Sequence, residues 1–89
     1  MPVIDDTTRE GIRATILELL AWRSPAASIC PSDVARALKI DGPGWRALMP
    51  AVRDVAADMV RAGELRITRG AAELAPDDLG RGPIRLRRR

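Results

Sequence analysis

At Gly63 the spacing of apolar residues changes from threes and fours to twos. Before it, Val52, Val55, Ala56, Met59 and Val60 recur at helical spacing. After it, Glu64-Leu65-Arg66-Ile67-Thr68 alternates, so Leu65 and Ile67 share one side of a strand while Arg66 and Thr68 take the other. Glycine suits the junction because it tolerates the left-handed conformation that closes many helices. The alternation returns in Pro83-Ile84-Arg85-Leu86-Arg87, with Ile84 and Leu86 on the inner side. Between the two lies a loop-like stretch, Gly70 to Gly82, holding Pro76, Asp77, Asp78 and Gly80. This pattern predicts a β-hairpin folded back over helices.

Upstream, Ile12, Ile16, Leu19 and Leu20 share one face of a first helix, capped among Asp5 to Thr8 and running to about Arg23. Arg9, Arg13 and Glu18 point toward water. Ser24-Pro25 ends the helix, since the residue before proline is pushed away from helical dihedrals. Trp22 lies off the main stripe and is assigned to core or edge packing rather than to a partner. Ala26 to Ile29 reads as a short extended piece. In Cys30-Pro31-Ser32-Asp33, proline fits the first helical position and Asp33 favours the positive end of the helix dipole. Cys30 then takes the cap position, with Val34, Ala35 and Leu38 facing inward. A thiolate is stabilised at such a place, but the chain has no histidine and no second cysteine to assist it. The stretch therefore reads as a helix start. KIDGPG, residues 39–44, is a turn by composition. Trp45 to Leu48 makes a first turn, and Pro50 opens the third helix.

The order is helix, short strand, helix, helix, strand, loop, strand. That is a mainly helical α+β fold of winged helix-turn-helix type, three helices with a C-terminal β-hairpin. ICPSDVARAL, WRALMPAVRDVA, the Gly63-Glu64-Leu65-Arg66-Ile67 stretch and RGPIRLR together resemble a family of short bacterial proteins of unknown function, over roughly residues 10 to 87. The resemblance implies a winged-helix-like fold and carries no catalytic or binding residues with it.

The chain has 89 residues, enough for one small domain, with residues 1–6 and 88–89 as tails. Lacking histidine and holding one cysteine, it has too few ligands for a Cys/His zinc site and no Ser–His or Cys–His pair. No glycine pattern resembles a phosphate-cradling loop. No cofactor, no metal and no enzymatic activity are expected. The N-terminus lacks the basic-then-apolar order of a secretory signal, and no apolar run approaches the roughly 20 residues that cross a bilayer. A lone thiol suits a reducing compartment. These points together predict a cytoplasmic protein, a monomer or weak homodimer with no membrane contact.

The net charge of +3 hides an asymmetry. Residues 1–80 carry ten basic and twelve acidic side chains, whereas residues 81–89 carry Arg81, Arg85, Arg87, Arg88, Arg89 and no acid. Arg85 and Arg87 project from one side of a strand, about 6.6 Å apart. If all five met phosphates on duplex DNA, log affinity would fall with log salt at a slope of about −4.5. On the third helix the outward residues are Arg53, Asp54, Ala57, Asp58 and Arg61, with Arg46 just before it. Arg46 and Arg53 are the candidates for contact with guanine, but the two aspartates would repel phosphate. Two functions follow. One is a module held on double-stranded DNA by Arg46, Arg53, Arg81, Arg85, Arg87, Arg88 and Arg89. The other is a protein-interaction module on the same scaffold, anchored by Trp22 or Trp45.

Overall fold

The computed structural model describes residues 6–38 and 43–89. Candidate cap Asp5 and residues 39–42 of the KIDGPG turn lie outside them. Helix α1 spans Asp6–Ala21, strand β1 Ser28–Ile29 and helix α2 Pro31–Leu38. A 3-10 turn, Pro43–Leu48, leads into α3, Met49–Arg61, followed by strands β2, Leu65–Arg69, β3, Ala72–Glu73, and β4, Arg85–Arg88. The chain is thus a mainly helical α+β protein, three helices on a four-stranded antiparallel sheet.

Two helix ends have a visible local cause. At α2 the Cys30 amide donates to Asp33 Oδ2 (2.9 Å) and the Asp33 amide donates to the Cys30 carbonyl (3.0 Å). This reciprocal arrangement satisfies donors that a helix start leaves unpaired. At the far end of α3 the Glu64 amide donates to the Met59 carbonyl (2.9 Å) and the Gly63 amide to the Val60 carbonyl (3.0 Å). That pair of bonds is a Schellman closure, which needs a positive φ at its glycine; Gly63 has φ +78°. The change of period is therefore a physical corner. α3 starts one residue before Pro50, still within the first turn where a missing N–H is harmless.

The hairpin differs from the simple two-stranded form. β2 pairs antiparallel with β4 in the register Leu65–Arg88, Arg66–Arg87, Ile67–Leu86 and Thr68–Arg85. β1 adds to the other edge of β4, setting Ile29 against Leu86. β2 also turns back on itself through Gly70, φ +57°, to pair Arg69 with Ala72 in β3, the positive φ that a two-residue hairpin takes at its first turn position. The strand order is β1-β4-β2-β3. The arginine-rich terminus is thus a central strand, and β4 extends through Arg88.

Leu65, Ile67, Ile84 and Leu86 are buried against Ile12 and Ile16 of α1, Val34 of α2, and Val52, Val55 and Met59 of α3. Burying side chains of this size contributes roughly 1.5–3 kcal/mol each. Three outward or inward assignments change: Ala57 is buried, Leu38 is 36% exposed and Trp22 is 81% exposed. Leu17 is 38% exposed as well. Trp22 sits just beyond the last turn of α1. Trp45 is half-buried and packs on the edge of the core.

Candidate nucleic-acid interface

The structure separates the arginines by what their donors meet. Arg85 and Arg87 do leave the sheet on one side, but β4 is flanked on both edges, and each guanidinium reaches a neighbouring strand or loop. Arg85 donates to Ser28 Oγ (2.8 Å) and the Ser28 carbonyl (3.0 Å), and also meets Cys30 Sγ. Arg87 donates to Thr68 Oγ1 (3.0 Å) and the Ala26 carbonyl (3.0 Å). Arg88 donates to the Leu20 carbonyl (2.7 Å), closing the C-terminus of α1, whose last carbonyls lack helical partners. Arg89 lies 3.7 Å from Glu73 in an ion pair. Arg85, Arg87 and Arg89 tie strands of the sheet to one another, and Arg88 ties the sheet to α1.

Arg53 ties helix to loop. From α3 it donates to the carbonyls of Gly80 (3.0 Å) and Gly82 (3.2 Å). The residue between those two carbonyls is Arg81, exposed and without a hydrogen bond or ion pair among the described residues. The loop that carries Arg81 is thereby held against the first half of α3. Cys30, Ser32 and Met49 line a cleft of about 290 Å³ beneath this crossing.

Arg46 stacks on Trp45, its guanidinium carbon 4.6 Å from the ring centroid. A second arginine, Arg36 in the last turn of α2, lies 4.5 Å from the same centroid. Both are exposed, and neither meets a carboxylate among the described residues. Each cation–π contact is worth about 0.5–1 kcal/mol at an exposed site and, more to the point, limits where the charge can go. Sequence reading missed Arg36. Trp45-Arg46 adjacency announces one such contact; the second needs α2 folded against the 3-10 turn.

The aspartates of α3 are answered by cations. Arg9 of α1 donates to Asp54 Oδ2 (2.8 Å) and to Asp58, while Arg61 donates to Asp58 (2.8 Å) and to Asp77. Arg13 pairs with Glu64. The hydrogen bond from Arg13 to Glu64, and then the charge of Glu64, raise the Arg13 pKa above its ordinary value. The bond to Asp77 does most to raise that of Arg61, against a smaller opposing effect of burial. Among the described residues no group of three or more Cys, Asp or Glu side chains is placed to hold a metal ion. No helix of the described residues is long and apolar enough to cross a membrane.

The fold and this arrangement define a small α+β domain in which Arg36, Arg46 and Arg81, exposed and without a carboxylate partner among the described residues, stand on α2, the 3-10 turn and the loop before β4. The chain belongs to the family described as protein of unknown function (DUF3253), whose model matches residues 9–89. No curated protein matches it.

Proposed function

We propose that the chain is a winged-helix module that binds double-stranded DNA through phosphate contacts, acting in the cytoplasm. Arg36, Arg46 and Arg81 make those contacts, with Arg53 holding the loop in place and offering its remaining donors. Arg85, Arg87, Arg88 and Arg89 serve the fold first. The observation that carries this reading is the Arg36–Trp45–Arg46 stack: two guanidiniums, uncompensated by acid among the described residues, on the elements that form a helix-turn-helix. The element order supports the winged-helix assignment, with β2 and β4 as the hairpin and residues 70–84 as its wing. With no Asn or Gln in the chain, side chains suited to adenine are absent, and binding depends on backbone charge rather than on sequence.

The test is fluorescence anisotropy with a mixed-sequence duplex across a salt series. Three phosphate contacts give a slope of about −2.7, and each Arg→Ala change at 36, 46 or 81 reduces its magnitude by about 0.9. Absence of binding at low salt, or binding unchanged in the triple variant, would falsify the proposal. The exposed indole of Trp22 favours a second reading, a protein-interaction module; under it the triple variant keeps its partner and Trp22→Ala loses it.

A further inference from the structure

Two guanidiniums take the carbonyls of the loop before β4. Arg53 of α3 donates to those of Gly80 (3.0 Å) and Gly82 (3.2 Å). Arg69, the last residue of β2, donates to those of Leu79 (2.7 Å) and Pro83 (3.1 Å). A trans peptide is planar, and its N–H points opposite to its C=O. The Gly80 amide therefore points away from Arg69, and the Arg81 amide away from Arg53. Pro83 has no N–H to follow the Gly82 carbonyl, and Ile84 is buried. Gly80 and Arg81 are thus the neighbouring residues whose amides the captured carbonyls turn outward. Both residues are exposed, and neither amide meets an acceptor among the described residues.

The backbone and the charge of this loop agree. Gly80 and Gly82 have φ +62° and +104°, and Arg81 between them has no positive φ. Alternation of this kind turns successive N–H groups toward one side and makes a concavity that takes an anion. Glycine alone adopts the outer positions without strain. A carbonyl that accepts from a cation polarises its peptide and strengthens the N–H on the far side. Arg53 and Arg69 do this from behind the loop, and neither meets a carboxylate among the described residues. Arg81 adds a third guanidinium, exposed and unpaired among the same residues. Of the nearest acids in sequence, Asp77 is held by Arg61, and Asp78 belongs to the preceding turn, its amide on the Ala75 carbonyl (3.0 Å). Three cations against one acid outside an ion pair leave the loop positive.

We infer that residues 80–82 form an oxyanion clasp for one phosphate group. The Gly80 and Arg81 amides are its donors, the Arg81 guanidinium closes over the anion, and Arg53 and Arg69 aim the backbone from behind. That this phosphate belongs to a DNA backbone rests on the function proposed above; a free phosphate presents the same chemistry to the same donors. All of them stand in water, so the clasp is weak on its own and adds one fixed contact to a larger surface.

Two NMR titrations of the full chain test it, one with inorganic phosphate against sodium chloride at matched ionic strength, one with the mixed-sequence duplex. Phosphate moves the Gly80 and Arg81 amide protons downfield, saturating in the millimolar range, and chloride does not. Gly80→Ala strains the left-handed backbone and sets its Cβ 3.6 Å from Arg69 Nη1. It weakens phosphate binding about tenfold while every charge remains. Arg69→Lys also keeps the charge, but an ammonium cannot span the Leu79 and Pro83 carbonyls, and it weakens binding in the same way. Arg81→Ala keeps both amide shifts and needs more phosphate to reach them. If the same two amides move with the duplex, the phosphate is that of DNA. If they move with inorganic phosphate and not with the duplex, the clasp stands and its ligand is a free phosphate. Amides indifferent to inorganic phosphate, or Gly80→Ala and Arg69→Lys proteins that bind it like the wild type, overturn the clasp even where the duplex still binds.

Discussion

Replacing Arg85 by alanine separates a structural arginine from a binding one. The change deletes two hydrogen bonds to Ser28, of 2.8 and 3.0 Å, and the contact with Cys30 Sγ. Bonds involving a charged partner contribute about 1.5–3 kcal/mol when one side is left unsatisfied. Ser28 is only half-buried, so water replaces part of that loss, and the expected cost is about 1.5 kcal/mol in total. For a domain this small that lowers the melting temperature by about 6–12 °C. Arg81→Ala removes no contact among the described residues and shifts stability by less than about 0.5 kcal/mol. The salt slope of DNA binding behaves in reverse. It falls in magnitude by about 0.9 for Arg81→Ala and is unchanged for Arg85→Ala at a temperature where the variant is folded. Circular dichroism melts and the anisotropy salt series measure the two quantities on the same samples. An Arg85→Ala protein that melts like the wild type yet loses slope, beside an Arg81→Ala protein that keeps it, would refute the division of the arginines.

Other perturbations test the fold and the stack. Leu86→Ala empties a fully buried site between Ile29 and Ile67 and costs about 3 kcal/mol of a total near 10, visible as a lower urea midpoint with a similar slope. Removal of residues 83–89 takes out the central strand with Ile84 and Leu86; the remainder gives no cooperative melt. Trp45→Ala frees Arg36 and Arg46 without removing charge, so DNA affinity falls roughly tenfold while the salt slope stays nearly constant, measured well below the melting temperature. Gly63→Ala meets no atom within 4 Å of its added Cβ, so its cost is the left-handed backbone alone, about 1–2 kcal/mol in a denaturation curve.

The Arg13–Glu64 and Arg61–Asp77 pairs lie at the surface, and surface pairs contribute little to stability. The two acids of α3 are answered separately, Asp54 by Arg9 and Asp58 by Arg9 and Arg61. The unpaired cations then set the sign of the adjoining surface.

Periodicity decided the three helices and the strands β2 and β4, because a helix and a strand bury different spacings of side chain and each spacing is a local property; β3, two exposed residues in the stretch read as loop, carries no such signal. The helix start at Cys30-Pro31 and the helix end at Gly63 were legible for the same reason: cap chemistry acts over three to five residues. Alternation also placed Arg85 and Arg87 on a common side. What alternation cannot say is which neighbour stands there. Ser28 and Thr68 reach those guanidiniums only because β1 and β2 flank β4, and Arg36 meets Trp45 only because α2 packs on the turn before α3. Trp22, assigned to packing, is 81% exposed, which its own segment did not reveal. A side chain's face is set within its own segment. Its partner is set by chain folded in from tens of residues away, and that assembly divided the arginines of the described residues into those that tie elements together, as Arg53, Arg85 and Arg88 do, and those left facing solvent, as Arg81 is.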